Sequence, residues 1–117
     1  MKIQTKRIYT APSNQDGTRI LIDRVWPRGV SKASAQIDFW AKSLAPSTAL
    51  RKWYQHDIDK WDEFRSRYHK ELDNNDAAFG ELRPYLDGET VTIVYAAKET
   101  TYNNAEAFRE YLLRKKN

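Results

Sequence analysis

A chain of 117 residues, 40% hydrophobic and 31% charged, suits one folded domain that buries roughly 65% of its unfolded surface, and its composition excludes an unfolded polyelectrolyte. Twenty Lys and Arg against 16 Asp and Glu leave a net charge of +4, a mild excess that permits an anionic partner without demanding one. The chain has no cysteine, which rules out disulfides, thiolate metal sites and cysteine nucleophiles; with neither a signal-like N-terminus nor an apolar run of spanning length, it is expected to be cytoplasmic and free of the membrane.

Residues 3–9, IQTKRIY, alternate loosely and carry β-branched and aromatic side chains, so they are expected to form a first strand. The polar segment SNQDGT follows, with Asp16-Gly17 as a turn signal. Residues 19–25 then place Ile20, Leu21 and Ile22 in succession, the pattern of a strand buried on both faces. That strand ends in Asp23 and Arg24, and Trp26-Pro27-Arg28-Gly29 turns the chain. Ser31 is placed to cap a short helix through Gln36, and Ile37, Phe39 and Ala41 alternate as a short strand does.

Pro46 closes that segment and Ser47 can cap a helix through Tyr54. Asp57 looks like a second cap. From Ile58 onward, Trp61, Phe64, Tyr68 and Leu72 recur every three or four residues, which predicts one apolar face of a long helix ending near Asn74. His69 falls off that stripe and is expected to be exposed. Asp76 begins another helical pattern, with Phe79, Leu82 and Leu86, that Pro84 should end or bend. After Asp87-Gly88, residues 90–96 (TVTIVYA) read as a second buried parallel strand, which again ends near charge, at Lys98 and Glu99. Asn103 or Asn104 can cap a final helix whose Phe108, Tyr111 and Leu112 face inward, while Arg114, Lys115 and Lys116 complement its dipole.

Strands separated by helical segments predict a single α/β domain over residues 1–117, a small, mainly parallel sheet with helices on both faces. In such sheets ligands bind beyond the carboxyl ends of the strands. The segments LIDRVWPRGVSK, WAKSLAPSTALRKWYQHD, KWDEFRSRYHKEL and VTIVYAAKETTYNNA together resemble the YeaO-like branch of domain-of-unknown-function family 488 over about residues 7–114. The resemblance implies a compact α/β domain with signature positions that include Asp23, Arg24, Trp26, Arg28, Ser47, Arg51, His56, Lys98 and Asn103, and it implies no established reaction or cofactor. Many relatives resemble AKDxxHNHA where residues 97–105 here read AKETTYNNA, so Tyr102 and Asn104 stand in place of two histidines on which a metal site or general base would be built.

Two readings of the site follow. In the first, an anionic small molecule carrying phosphate or carboxylate, with or without a reaction, is held at Asp23, Arg24, Trp26, Arg28, Ser47, Arg51, His56, Lys98 and Asn103, with no metal. In the second, a nucleic-acid-binding or protein-interaction module uses Lys6, Arg7, Arg51, Lys52, Arg65 and Arg67. Each residue also has a plainer role. Asp23 and Arg24 can be a buried structural pair, Ser47 a cap, and His56-Asp57 a turn between helices. Trp40, Trp53 and Trp61 lie among apolar neighbours and read as packing residues rather than a base-stacking platform, whereas Trp26 lies in the turn of the site.

Overall fold

The computed structural model describes residues 1–115; Lys116, read above as a dipole partner, lies outside the described residues. Four strands, β1 (Lys2–Arg7), β2 (Thr18–Leu21), β3 (Phe39–Trp40) and β4 (Thr90–Tyr95), form one sheet in the order β1-β4-β2-β3. Every pairing is parallel, and β2 meets β4 with Ile20 opposite Ile93 and Leu21 opposite Val94. The two strands with the most continuous apolar runs are therefore the central ones, because only a central strand has both faces and both edges covered.

The described residues also form five α-helices: α1 (Lys32–Ala35), α2 (Thr48–Tyr54), α3 (Trp61–Asp73), α4 (Asp76–Leu82) and, after the last strand, α5 (Asn104–Lys115). Ser31 and Ser47 cap α1 and α2 by accepting from the amides of Ser34 and Leu50, as their positions predict. Asp57 accepts from the amide of Asp59 and caps a 3-10 turn, Ile58–Lys60, so the regular helix begins three residues later than the apolar spacing suggests and Ile58 is exposed. Pro84 sits in the 3-10 turn Arg83–Leu86 that ends α4.

The helices do cover both faces, though unequally. On one face α2 to α5 pack Leu50, Phe64, Tyr68, Leu72, Leu82 and Phe108 against Ile3, Ile20, Val91 and Ile93. On the other, only α1 contributes Ala35, beside Leu21, Val94 and the half-buried Trp26 and Trp40. The four tryptophans thus divide between the two faces and form no common platform, since Trp53 and Trp61 belong to the first layer. Trp26 is not set apart: its ring meets Trp40 edge-on with centroids 5.4 Å apart, and its indole N–H donates to the Val30 carbonyl.

His69 corrects the expectation of exposure. It is buried, its Nε2 lies 2.9 Å from the Ala107 carbonyl oxygen, and its ring meets Tyr111 edge-on. The apolar stripe of α3 records its contact with the sheet, but α5 also packs across the flank of α3, and a polar side chain is tolerated there because it finds a backbone partner.

A buried ionic cluster fills part of the second face. Asp16 accepts from Arg19 Nη1 at 2.7 Å, from the Ser13 amide at 3.0 Å and from Lys6 Nζ at 3.0 Å. Burial by itself would push its carboxyl up, but these donors together outweigh burial and leave it below its ordinary value. Gly17, at φ 64°, passes so close to the Thr90 carbonyl that a Cβ would lie 2.1 Å from that oxygen. Asp16-Gly17 is accordingly a tight packing point against the start of β4 as well as a turn.

Candidate active site at the strand ends

β2 stops pairing where Asp23 begins. Ile22 still donates its amide to Val94 O, but the next amide of the neighbouring segment, that of Ala96 just past β4, donates to the Asp23 carboxylate at 2.9 Å in place of a backbone carbonyl. This is why the strand ends before Val25 and why a carboxylate stands at the sheet edge. Its other oxygen accepts from Asn104 Nδ2 at 3.1 Å, and Asn104 also donates to Ile22 O at 2.9 Å. Burial holds the Asp23 carboxyl above its ordinary value, against the lowering effect of Asn104, the Ala96 amide and the charge of Arg51.

Arg24 is not the partner of Asp23. Its guanidinium donates to Ala45 O at 2.8 Å and to Pro46 O at 3.2 Å, which ties the segment after β2 to the start of α2. The structural-pair reading of Asp23-Arg24 therefore fails, because adjacent residues leaving a strand point to different sides. Carbonyl oxygens leave the positive charge of Arg24 uncancelled.

These groups line a cavity of about 610 Å³ beyond the carboxyl ends of β2 and β4. The turn after β2 contributes Asp23, Arg24, Trp26 and Arg28; α2 and the residues after it contribute Arg51, Lys52, Tyr54 and His56; Asn104 and Phe64 close the remaining sides. Six of the nine residues read from the sequence thus share one cavity. The other three do not line it. Ser47 donates its hydroxyl to Glu71 at 2.6 Å and accepts the Leu50 amide, so the protein's own carboxylate already occupies the start of α2. Asn103 is fully buried, donating to Glu99 O and accepting the Glu106 amide as the cap of α5. Lys98 is exposed.

Tyr54, Gln55 and Asn104 are among the lining residues that the sequence reading missed, and Lys52, read there as part of a basic surface, lines the cavity as well. The helical spacing of Arg51, Lys52 and Gln55 could have signalled one face of α2 turned toward the site; the role of Asn104 depends on the register of α5 against Asp23 and has no local signal. Burial pushes the hydroxyl of Tyr54, which donates to Tyr102 O, up to about 12. Gln55 and His56 hold φ of 47° and 57°, two successive left-handed residues without glycine at the mouth of the cavity.

The cavity is positively charged. Arg24, Arg28, Arg51 and Lys52 face a single lining carboxylate, Asp23. The ion pairs among the described residues involve Lys6, Arg19, Arg65, Arg67 and Lys115, and none of these four cations. The flat basic surface of the second reading is depleted by contrast. Lys6 pairs with Asp16, Arg65 with Asp62 and Glu110, and Arg67 with Glu63. Among the described residues no group of three or more His, Cys, Asp or Glu is placed to hold a metal ion, and no helix is long and apolar enough to cross a membrane.

Residues 2–117 match the profile of the inactive DUF488-N3 subclade. The chain belongs to domain-of-unknown-function family 488. It is 38% identical over 112 residues to the uncharacterized protein YeaO of Escherichia coli (strain K12), a match covering 96% of this chain and 97% of that protein. It is 37% identical over 111 residues to the uncharacterized protein Rv3073c of Mycobacterium tuberculosis (strain ATCC 25618 / H37Rv), covering 95% of this chain and 93% of that one. No solved structure matches it. The resemblance to the YeaO-like branch is thus borne out. Of the two residues read above as standing in place of histidines, Asn104 lines the cavity, while Tyr102 packs its ring edge-on against Trp61.

Proposed function

We propose that this member of the DUF488 family binds an anionic small molecule, bearing phosphate or carboxylate, in the cavity at the carboxyl ends of β2 and β4. The observation that carries the reading is the set of four cations around one cavity, Arg24, Arg28, Arg51 and Lys52, free of ion pairs with the protein's own carboxylates. Like charges brought together without counter-charges repel one another, and a bound anion relieves that cost. A volume of about 610 Å³ suits a metabolite-sized ligand. The strained pair Gln55-His56 at its mouth fits the tendency of such backbone to gather at ligand sites.

The reading is of binding rather than turnover. The Ser47 hydroxyl is committed to Glu71, and the matched subclade is described as inactive. Thermal melts and calorimetric titration with phosphate, pyrophosphate, citrate and nucleoside phosphates test it. At least one anion should raise the melting temperature of the wild type, and Arg28→Ala or Arg51→Ala should weaken its binding by about 1.5–3 kcal/mol, the value of a charge-assisted hydrogen bond. Lys98→Ala should respond as wild type does. If no anion stabilises the protein, or if binding is limited to long DNA or RNA and falls steeply with salt, the cavity reading is wrong and a nucleic-acid surface takes its place.

A further inference from the structure

The cavity is chemically two-ended. Asn104 Nδ2 carries two hydrogens, and both are committed, to Ile22 O and to Asp23 Oδ1, which fixes the amide so that Oδ1 is the atom left over. No donor among the described residues reaches that oxygen. Asp23 accepts one hydrogen bond on each carboxylate oxygen, from Asn104 and from the Ala96 amide, and each oxygen retains a further lone pair. The end of the cavity against the sheet therefore offers acceptors, while the side formed by the turn after β2 and by α2 offers cations.

A simple anion uses only the second end. A ligand that satisfies both must carry hydrogen-bond donors at one end and negative charge at the other. An ammonium group is a poor donor here, because Arg24 and Arg51 line the same cavity and Arg51 is close enough to act on the Asp23 carboxyl. Hydroxyl groups donate without that repulsion. Two hydroxyls on adjacent carbons match the two oxygens of one carboxylate, the arrangement by which an acidic side chain holds a ribose in dinucleotide-binding sheets.

We infer, building on the anion-binding reading above, that this pocket selects a phosphorylated polyol, with its phosphate on Arg28, Arg51 and Lys52 and a vicinal diol on Asp23 and Asn104. Asp23 is then the specificity-determining residue. A site built to accept from hydroxyls discriminates against analogues that lack them, because its half-buried acceptors would otherwise be left unpaired. The chemistry is shared by free sugar phosphates and by the ribose phosphate of a nucleotide.

Calorimetric titration of the full chain with methyl phosphate, ribose 5-phosphate, AMP and 2′,3′-dideoxy-AMP decides it. Ribose 5-phosphate or AMP should bind at least about tenfold more tightly than methyl phosphate, and AMP at least about tenfold more tightly than its dideoxy analogue, as expected for lost hydrogen bonds to a charged acceptor. The tighter of ribose 5-phosphate and AMP identifies the source. Asp23→Asn should reduce the preference for AMP over its dideoxy analogue to less than about threefold, since the charged acceptor is removed. If that variant does not fold, the ligand series on the wild type still decides. The inference is overturned, and the anion reading left standing, if neither ribose 5-phosphate nor AMP binds more tightly than methyl phosphate or if AMP and its dideoxy analogue bind equally; no binding of any of the four overturns the inference, and the anion reading falls with it only when pyrophosphate and citrate also fail to bind.

Discussion

Replacing Asp16 by Asn tests the ionic cluster that anchors the start of β2. Arg19 is 3% exposed, its Nη1 donates to Asp16 at 2.7 Å and its Nε to the Ala35 carbonyl at 3.0 Å, while its Nη2 has no partner among the described residues. An asparagine retains one acceptor oxygen where the carboxylate receives Arg19, Lys6 and the Ser13 amide, and it leaves the Arg19 charge buried and uncompensated. Breaking a buried pair in this way costs about 3–5 kcal/mol. Against a total stability of about 5–15 kcal/mol that is a large share, and at roughly 4 °C per kcal/mol it lowers the melting temperature by about 12–20 °C.

The double variant Asp16→Asn/Arg19→Met should recover more than half of the loss, because the orphaned cation is removed with its partner. The pH dependence has a defined sign. The Asp16 carboxyl lies below its ordinary value of 3.8 in the folded protein, so its contribution is present above that value and is lost as pH falls through the folded one. Urea unfolding followed by circular dichroism, from about pH 7 down to about pH 3, should show the wild-type advantage narrowing only in acid. A loss below about 1 kcal/mol at neutral pH, or a gap that does not narrow in acid, refutes the account of this cluster.

Ser47→Ala should cost about 1–2 kcal/mol in urea unfolding, since the cap of α2 and the 2.6 Å bond to Glu71 are lost together; a change within 0.3 kcal/mol of zero, taken as approximate experimental error, would show that water replaces both. Gly17→Ala should cost about 2 kcal/mol or more, because the added Cβ meets the Thr90 carbonyl and the backbone stays at positive φ, and a variant as stable as wild type would show that this contact relaxes freely.

Local pattern was enough to locate most elements. The caps at Ser31, Ser47 and Asp57, the stripe of Phe64, Tyr68 and Leu72, and the apolar runs of β2 and β4 follow from backbone valence, helical period and burial, which act over a few residues. The charged residues after β2 were legible as a candidate site for a related reason, because a parallel sheet leaves its strand ends uncovered. Long-range partners were not legible. The sequence places Arg24 beside Asp23, yet Arg24 binds carbonyls before α2 and Asp23 binds an amide after β4 and a side chain on α5.

The chain by itself determined the element types, a parallel α/β sheet and a positively charged turn after β2, because these depend on periodicity and composition over short windows. The tertiary structure decided the rest. It inserted β4 between β1 and β2, so that Asp23 meets Ala96 and Asn104; it laid α5 over the flank of α3, which buried His69; and it gave Ser47 the carboxylate of Glu71. Each of these contacts joins residues far apart in the chain, and their identities depend on strand order and helix register, which no local run of residues encodes.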